Sequence, residues 1–415
     1  MNVRAERFPL FDGLRALAAL SVVAFHAAFF ARLGVSDNPL RPYASHLMVG
    51  VTIFFLISGF LLYRPFVRAR LSDEQMPGAA AYGWRRFLRI APAYWVALTV
   101  VAIWLALPGV FTLTGIPTYY GFAQIYDAAR SPGGISQAWT LCVEVTFYAF
   151  LPLWALAMRR LPGRGDLRRM VRQELVALAL LFVASVAYKV WALQQTTPIS
   201  LANTPYLDPL PNFLDQFALG MGLAVLSVQL QGRERLPKLL ELVRRRPTLP
   251  WIVSGVAFWA VSTQIGLTGR LVPRSFPAHT FLERHELYSV IALGLVLPAV
   301  FVAPGRGIAG RLLGSRLARY LGLVSYSIYL YHFAVIKQID RWLGAPLDAP
   351  MGVRIAVYLA LGALGAVAIA TLSYYLVERP ALSLKRLVRD RALERARGEA
   401  IVEPAPVAPP TLSRG

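Results

Sequence analysis

The chain has 415 residues, 56% of them hydrophobic and 16% charged, with a mean hydropathy of +0.51. A water-soluble domain carries about a quarter charged residues, so a soluble globular fold is excluded. The net charge of +21 suits nucleic acid or anionic lipid according to where it lies, and the single cysteine, Cys142, excludes an internal disulfide.

Ten apolar segments of spanning length follow one another, at about 10–31, 47–66, 88–108, 138–158, 174–194, 212–231, 249–268, 285–303, 320–341 and 353–377. The first, FDGLRALAALSVVAFHAAFF, follows Arg4 and Arg7 as a signal peptide would. Asp12 and Arg15 interrupt its start, however, and Leu14–Phe30 is long for a signal core, so it reads as a retained span. The N-terminus, the loops 64–89, 159–172, 233–246 and 304–319, and the tail hold 2, 6, 6, 6, 4 and 8 Lys and Arg. The five intervening loops hold 2, 1, 0, 3 and 2. By the positive-inside rule both termini face the cytosol. The expected fold is an all-α polytopic membrane protein, a bundle of about ten transmembrane helices. The charge is then topology and lipid contact, and nucleic acid is not an expected partner. No internal repeat is visible. Residues 1–379 form the membrane domain; residues 380–415 form a tail, first basic, then Pro-rich, VEPAPVAPPTLSRG.

Ionisable residues within spans are costly and mark candidate sites. Arg15 and His26 are eleven residues apart, three turns plus ~20°, so they share one stripe of the first helix, ~16.5 Å apart along its axis. By depth along their spans His26, Glu144 and His332 fall in one layer of the outer half. That places Glu144 as the carboxylate to orient His26, with His332 nearby. A snorkelling arginine and a packing histidine are the plainer alternative. At the cytosolic side, YGWRRFLRIAPAYW brings Arg85, Arg86 and Arg89 to the mouth of the third span, where guanidinium forks grip phosphates or inner-leaflet headgroups. Glu378, in LVERPAL, is a partner for Arg15 or these arginines. Ser58 and Gly59 lie mid-span, where small residues mean close packing. Trp139 is an interfacial anchor or a substrate platform. Tyr326, Tyr329 and Tyr331 supply packing and hydrogen bonds, and Asp215 and the Lys337/Asp340 pair remain without a role. No P-loop, Rossmann fingerprint or zinc-type spacing occurs, so neither a metal nor a bound cofactor is expected.

Six phrases in order, FDGLRALAAL with His26 completing an Arg–ten residues–His spacing, GVTIFFLISGFLL, RRFLRIAPAYW, WTLCVEVTFYAFLP, SYSIYLYH and YYLVERPAL, resemble the acyltransferase-3 family of integral membrane proteins from Phe11 to Pro380. The resemblance implies transfer of an acyl group, commonly acetyl, from cytosolic acyl-CoA to a hydroxyl, usually on a sugar. It implies a catalytic role for His26, an essential Arg15, a donor-side role for Arg86 and Arg89, and a match at Glu144. No SGNH hydrolase-like domain follows the last span in this sequence, so a relay through one is not expected. The residues and the resemblance together make His26, Glu144 and Arg15 the catalytic candidates, and Arg85, Arg86 and Arg89 the acyl-CoA-binding ones. Trp139, Tyr329, His332, Ser58, Asp12 and Glu378 are candidates for acceptor contact or support.

The expected reaction is O-acylation of an envelope polysaccharide or glycolipid, with acyl-CoA as co-substrate, in a bacterial cytoplasmic membrane. His26 acts as general base or, alternatively, as an acyl-carrying nucleophile. Acylation of a secondary metabolite such as a macrolide is the alternative acceptor chemistry. Proton-coupled transport would use the same intramembrane His, Glu and Arg, but with repeated halves; a binding scaffold would need no basic mouth aligned with a deep histidine.

Overall fold

The computed structural model describes residues 8–163, 165–196, 203–233, 235–265, 278–302, 305–344 and 348–386. Arg4, Arg7 and most of the predicted tail lie outside these residues. Ten helices fall on the ten apolar segments: α1 (Leu10–Phe30), α2 (Val49–Leu71), α3 (Ala79–Trp104), α4 (Trp139–Arg160), α5 (Leu167–Gln195), α6 (Leu214–Gln229), α7 (Leu249–Thr263), α8 (Ala278–Phe301), α9 (Ser325–Trp342) and α10 (Met351–Ser373). By length and composition, the stretches holding α1 to α5, α8 and α10 can cross a membrane. Helices α6 and α7 are apolar but shorter, ~24 and ~22 Å at ~1.5 Å per residue. Helix α9 carries Lys337, Asp340 and Arg341 within its 18 residues.

The shortness of α6 has a local cause. The chain before it turns back into the bundle through Leu210–Asn212, where the Ser185 hydroxyl of α5 donates to the Pro211 carbonyl at 2.7 Å and the Asn212 amide donates to the Leu207 carbonyl at 2.6 Å. Irregular backbone within a membrane bundle is tolerated only where protein groups satisfy it. Beside it Lys189 and Asp215 form a fully buried pair at 2.6 Å, with His285 at 3.3 Å and Ser185 at 3.0 Å from the same carboxylate. Asp215 thus ties α5, α6 and α8 together. Asp340 accepts a short hydrogen bond from the buried Tyr358 of α10.

Two glycine contacts bring backbones together. A Cβ on Gly59 of α2 would lie 2.3 Å from the Phe217 carbonyl of α6, and one on Gly220 of α6 would lie 2.1 Å from the Leu56 carbonyl of α2. The crossing needs both glycines, as membrane helix interfaces commonly do. Around it Phe217 stacks on Phe147 at 3.9 Å and on Phe55 at 4.9 Å. At the start of α1 the short helices Gly307–Leu313 and Arg316–Leu323 press on the first turn. There Gly13 meets the Leu313 backbone, and Gly322 meets the Asp12 carbonyl. The predicted ninth span beginning at 320 is therefore two elements, broken at Val324.

Candidate active site

Helices α1, α2, α3, α4 and α9 enclose a cavity of about 270 Å³. Its lining includes Arg15, Arg86, Arg89, Glu144, Ser58, Thr140, Tyr148 and Tyr329. Arg86 and Arg89, one turn apart on α3, both turn inward; Arg85, displaced ~100° round the helix, is not among the lining residues. Of the three arginines expected on the donor side, Arg86 and Arg89 line the cavity and Arg85 does not, and Arg15 of α1 lines it with them. Three guanidinium groups and one carboxylate give the cavity an excess of positive charge, the chemistry that suits an anion.

Each charge is held. The Arg86 guanidinium lies over the rings of Tyr82 and Tyr148, at 6.0 and 5.9 Å from their centroids. Arg89 pairs with Glu378 at 3.5 Å, and the Ser327 hydroxyl donates to that carboxylate at 2.5 Å. Glu378 reaches this position because α10 continues into a π-helical turn, Tyr374–Glu378, whose extra residue per turn re-aims the side chain. The sequence left Glu378 to pair with Arg15 or the arginines of α3. It takes Arg89, while Arg15 pairs with Asp12 at 3.4 Å.

Glu144 does not orient His26. One carboxylate oxygen accepts from the Ser58 hydroxyl at 2.7 Å and from the Tyr148 hydroxyl at 2.8 Å. The depth count placed the three side chains in one layer but says nothing about bearing round each helix axis. Adjacent Ser58 and Gly59 split their roles: the serine faces the cavity, the glycine faces α6. Tyr148, which the sequence reading passed over, stands at i+4 from Glu144, the spacing at which helical side chains meet.

The partner of His26 is His332, at 3.1 Å from ring nitrogen to ring nitrogen. His332 Nδ1 faces the carbonyls of Tyr329 at 2.9 Å and Ile328 at 3.2 Å, so it carries a proton and leaves Nε2 as an acceptor. His26 Nδ1 faces the Val22 carbonyl at 3.0 Å as well as His332 Nε2, so it too donates. Its Nε2 is left with the free lone pair, the form required of a base. His26 does not line the cavity. It stands beyond Tyr329, its ring packed edge-on against Phe25 and Phe333. The wall between is polar: the Tyr329 hydroxyl donates to the Gln137 carbonyl at 2.8 Å and lies 2.8 Å from the Thr140 hydroxyl. Trp139 is outside this group, packed on Phe213 at 5.5 Å. Gln137 and Thr140 carry no sequence signal of their own, since their role depends on which helix faces them.

The family model described as an acyltransferase domain matches residues 9–376. The chain is 29% identical to Nodulation protein 10 of Rhizobium leguminosarum bv. viciae, over 92% of this chain and 95% of that one. It is 27% identical to Acyltransferase MdmB of Streptomyces mycarofaciens, over 92% and 94%. With Peptidoglycan O-acetyltransferase OatA of Listeria monocytogenes it shares 22% identity over 79% of this chain and 49% of the other, so it spans about half of that relative. No solved structure matches. A polytopic helical membrane protein that gathers three arginines on one cavity, with a histidine pair just outside its lining, and that matches this family model over nearly its whole length, belongs to the acyltransferase-3 family and is an O-acyltransferase.

Proposed function

We propose that the protein transfers an acyl group, acetyl by preference, from cytosolic acyl-CoA to a hydroxyl of a sugar-containing acceptor, in a bacterial cytoplasmic membrane with both termini inside. The observation that carries this reading is the cavity lined by three arginines, whose lining residue Tyr329 packs against His332 of a hydrogen-bonded histidine pair. At about 270 Å³ it is at the small end of ligand pockets, which run from about 300 Å³. It suits the thioester arm of CoA, with the nucleotide phosphates at the open basic mouth against Arg86, Arg89 and Arg15.

In this reading His26 Nε2 takes the proton of the acceptor hydroxyl as the oxygen attacks the thioester carbonyl. The carbon–sulfur bond breaks, and the CoA thiolate takes the proton back from the imidazolium. His332 holds the His26 tautomer and passes part of the developing positive charge to two backbone carbonyls. Glu144 balances the guanidinium groups and supports the cavity wall with Ser58 and Tyr148. The arm reaches the base when Tyr329 and Phe54, whose rings pack at 6.1 Å across the wall, swing aside. Purified His26→Ala, folded and still binding CoA, is expected to lose at least about 100-fold in acyl transfer. Full activity in that variant would overturn the assignment.

A further inference from the structure

We propose that a second cavity, at the end of the bundle opposite the arginines, is the acceptor's binding site and takes a sugar ring; this rests on the acyl-transfer reading above. The cavity measures about 250 Å³ and is enclosed by the last turns of α3, the loop leading into α4, and α9. Its lining includes Gly133, Gly134, Gln137, Phe333, Ala334 and Lys337.

Three features match a sugar. The first is Gln137, whose side chain is 5% exposed. Its amide nitrogen donates to the carbonyls of Leu330 at 2.9 Å and Tyr329 at 3.2 Å, which fixes the orientation of the amide. The amide oxygen is then buried without a hydrogen-bond partner. A buried acceptor left unmade is costly; the oxygen is covered in this arrangement, and a ligand hydroxyl that displaces a covering side chain and bonds to it removes that cost. The second is Phe333, an aromatic surface for the C–H face of a sugar ring. The third is Lys337, a donor to ring and hydroxyl oxygens that makes no ion pair among the described residues. No carboxylate among the described residues lines the cavity, so none of them repels an acidic sugar.

The location matches the chemistry. Phe333 lines this cavity and meets the His26 ring edge-on, 5.2 Å between centroids. Gln137 lines this cavity and Tyr329 lines the arginine cavity, and the two residues are bonded to each other from both sides. One residue pair therefore separates the two cavities, with the histidine pair beside it. A sugar hydroxyl entering from one side and a thioester from the other meet at this wall. The acceptor enters from the outer face of the membrane and the donor from the inner face.

The test is saturation-transfer difference NMR on the full-length protein in nanodiscs. The probes are methyl β-glycosides of glucose, galactose and N-acetylglucosamine. Ala334→Phe fills the cavity; Lys337→Met removes its cation at a half-buried position with little packing risk. CoA binding on the same samples reports the state of the arginine cavity. We expect at least one glycoside signal in the unmodified protein, weakened at least about tenfold in Ala334→Phe and at least about threefold in Lys337→Met. If Ala334→Phe does not fold, the Lys337→Met comparison decides. Absence of any glycoside signal, or signals equal in all folded samples, would overturn the acceptor site while leaving the donor reading standing. Failure of the unmodified protein to bind CoA would instead remove the donor reading.

Discussion

At the scale of single residues, the histidine pair differs most from what sequence spacing suggests. Arg15 and His26 do share a stripe of α1, but they serve different places: the arginine lines the inner cavity and the histidine bonds to α9. If His26 is the base as proposed, His332, bonded to it at 3.1 Å, acts through it, and its loss should impair the chemical step and leave donor binding intact. We expect His332→Gln to lower kcat about 10- to 100-fold with the KM for acyl-CoA unchanged, and to alter the pH profile of kcat. An altered KM with unchanged kcat would show that His332 serves binding instead. Arginine at position 86 stacks between two tyrosine rings, which a lysine ammonium does not reproduce. Arg86→Lys is therefore expected to raise the KM for acyl-CoA by about tenfold, despite the retained charge.

At the scale of elements, close packing and a π-turn decide what the site can be. The α2–α6 crossing leaves no room for side chains at Gly59 or Gly220. Gly59→Val is expected to lower the Tm of the detergent-solubilised protein, by an overpacking cost of about 1–3 kcal/mol or more. The Lys189–Asp215 pair is wholly buried, so Asp215→Ala leaves the buried cation only the longer contact to the more exposed Glu286. We expect a loss of about 3–5 kcal/mol, read as a fall in Tm or in folded yield. A smaller change would mean that the existing contact to Glu286, 3.4 Å from Lys189, compensates the charge by itself. Glu378 shows how one turn can serve a distant helix: the π-turn of α10 aims it at α3.

At the scale of the whole molecule, the basic loops and the arginine cavity lie at the same end of the bundle. Donor binding that depends on guanidinium–phosphate contact should weaken with added salt. We expect the KM for acyl-CoA to rise between 50 and 500 mM NaCl, about an order of magnitude across that range, while kcat changes little. A salt-independent KM would count against the phosphates lying at the basic mouth.

Much of this architecture was legible in the sequence. Hydropathy marks the ten long apolar helices, seven of them in stretches long and apolar enough to cross a membrane, because burying backbone in lipid demands long apolar helical runs whatever surrounds them. The in-order phrases identify the acyltransferase-3 family, and the His, Arg and Glu within the spans are the candidates that the sequence offers, of which Arg15 and Glu144 line one cavity. The pairings were not legible. Depth along a helix follows from counting at ~1.5 Å per residue, but which neighbour a side chain meets depends on azimuth and on which helices touch. That is why Glu144 found Ser58 and Tyr148, His26 found His332, Arg85 turned away and Glu378 took Arg89. Sequence alone determined the membrane class, the order of the helices and the identity of the chemical groups. Tertiary structure alone decided who pairs with whom, because contacts between helices far apart in the chain are set by packing of whole faces, and no local pattern encodes them.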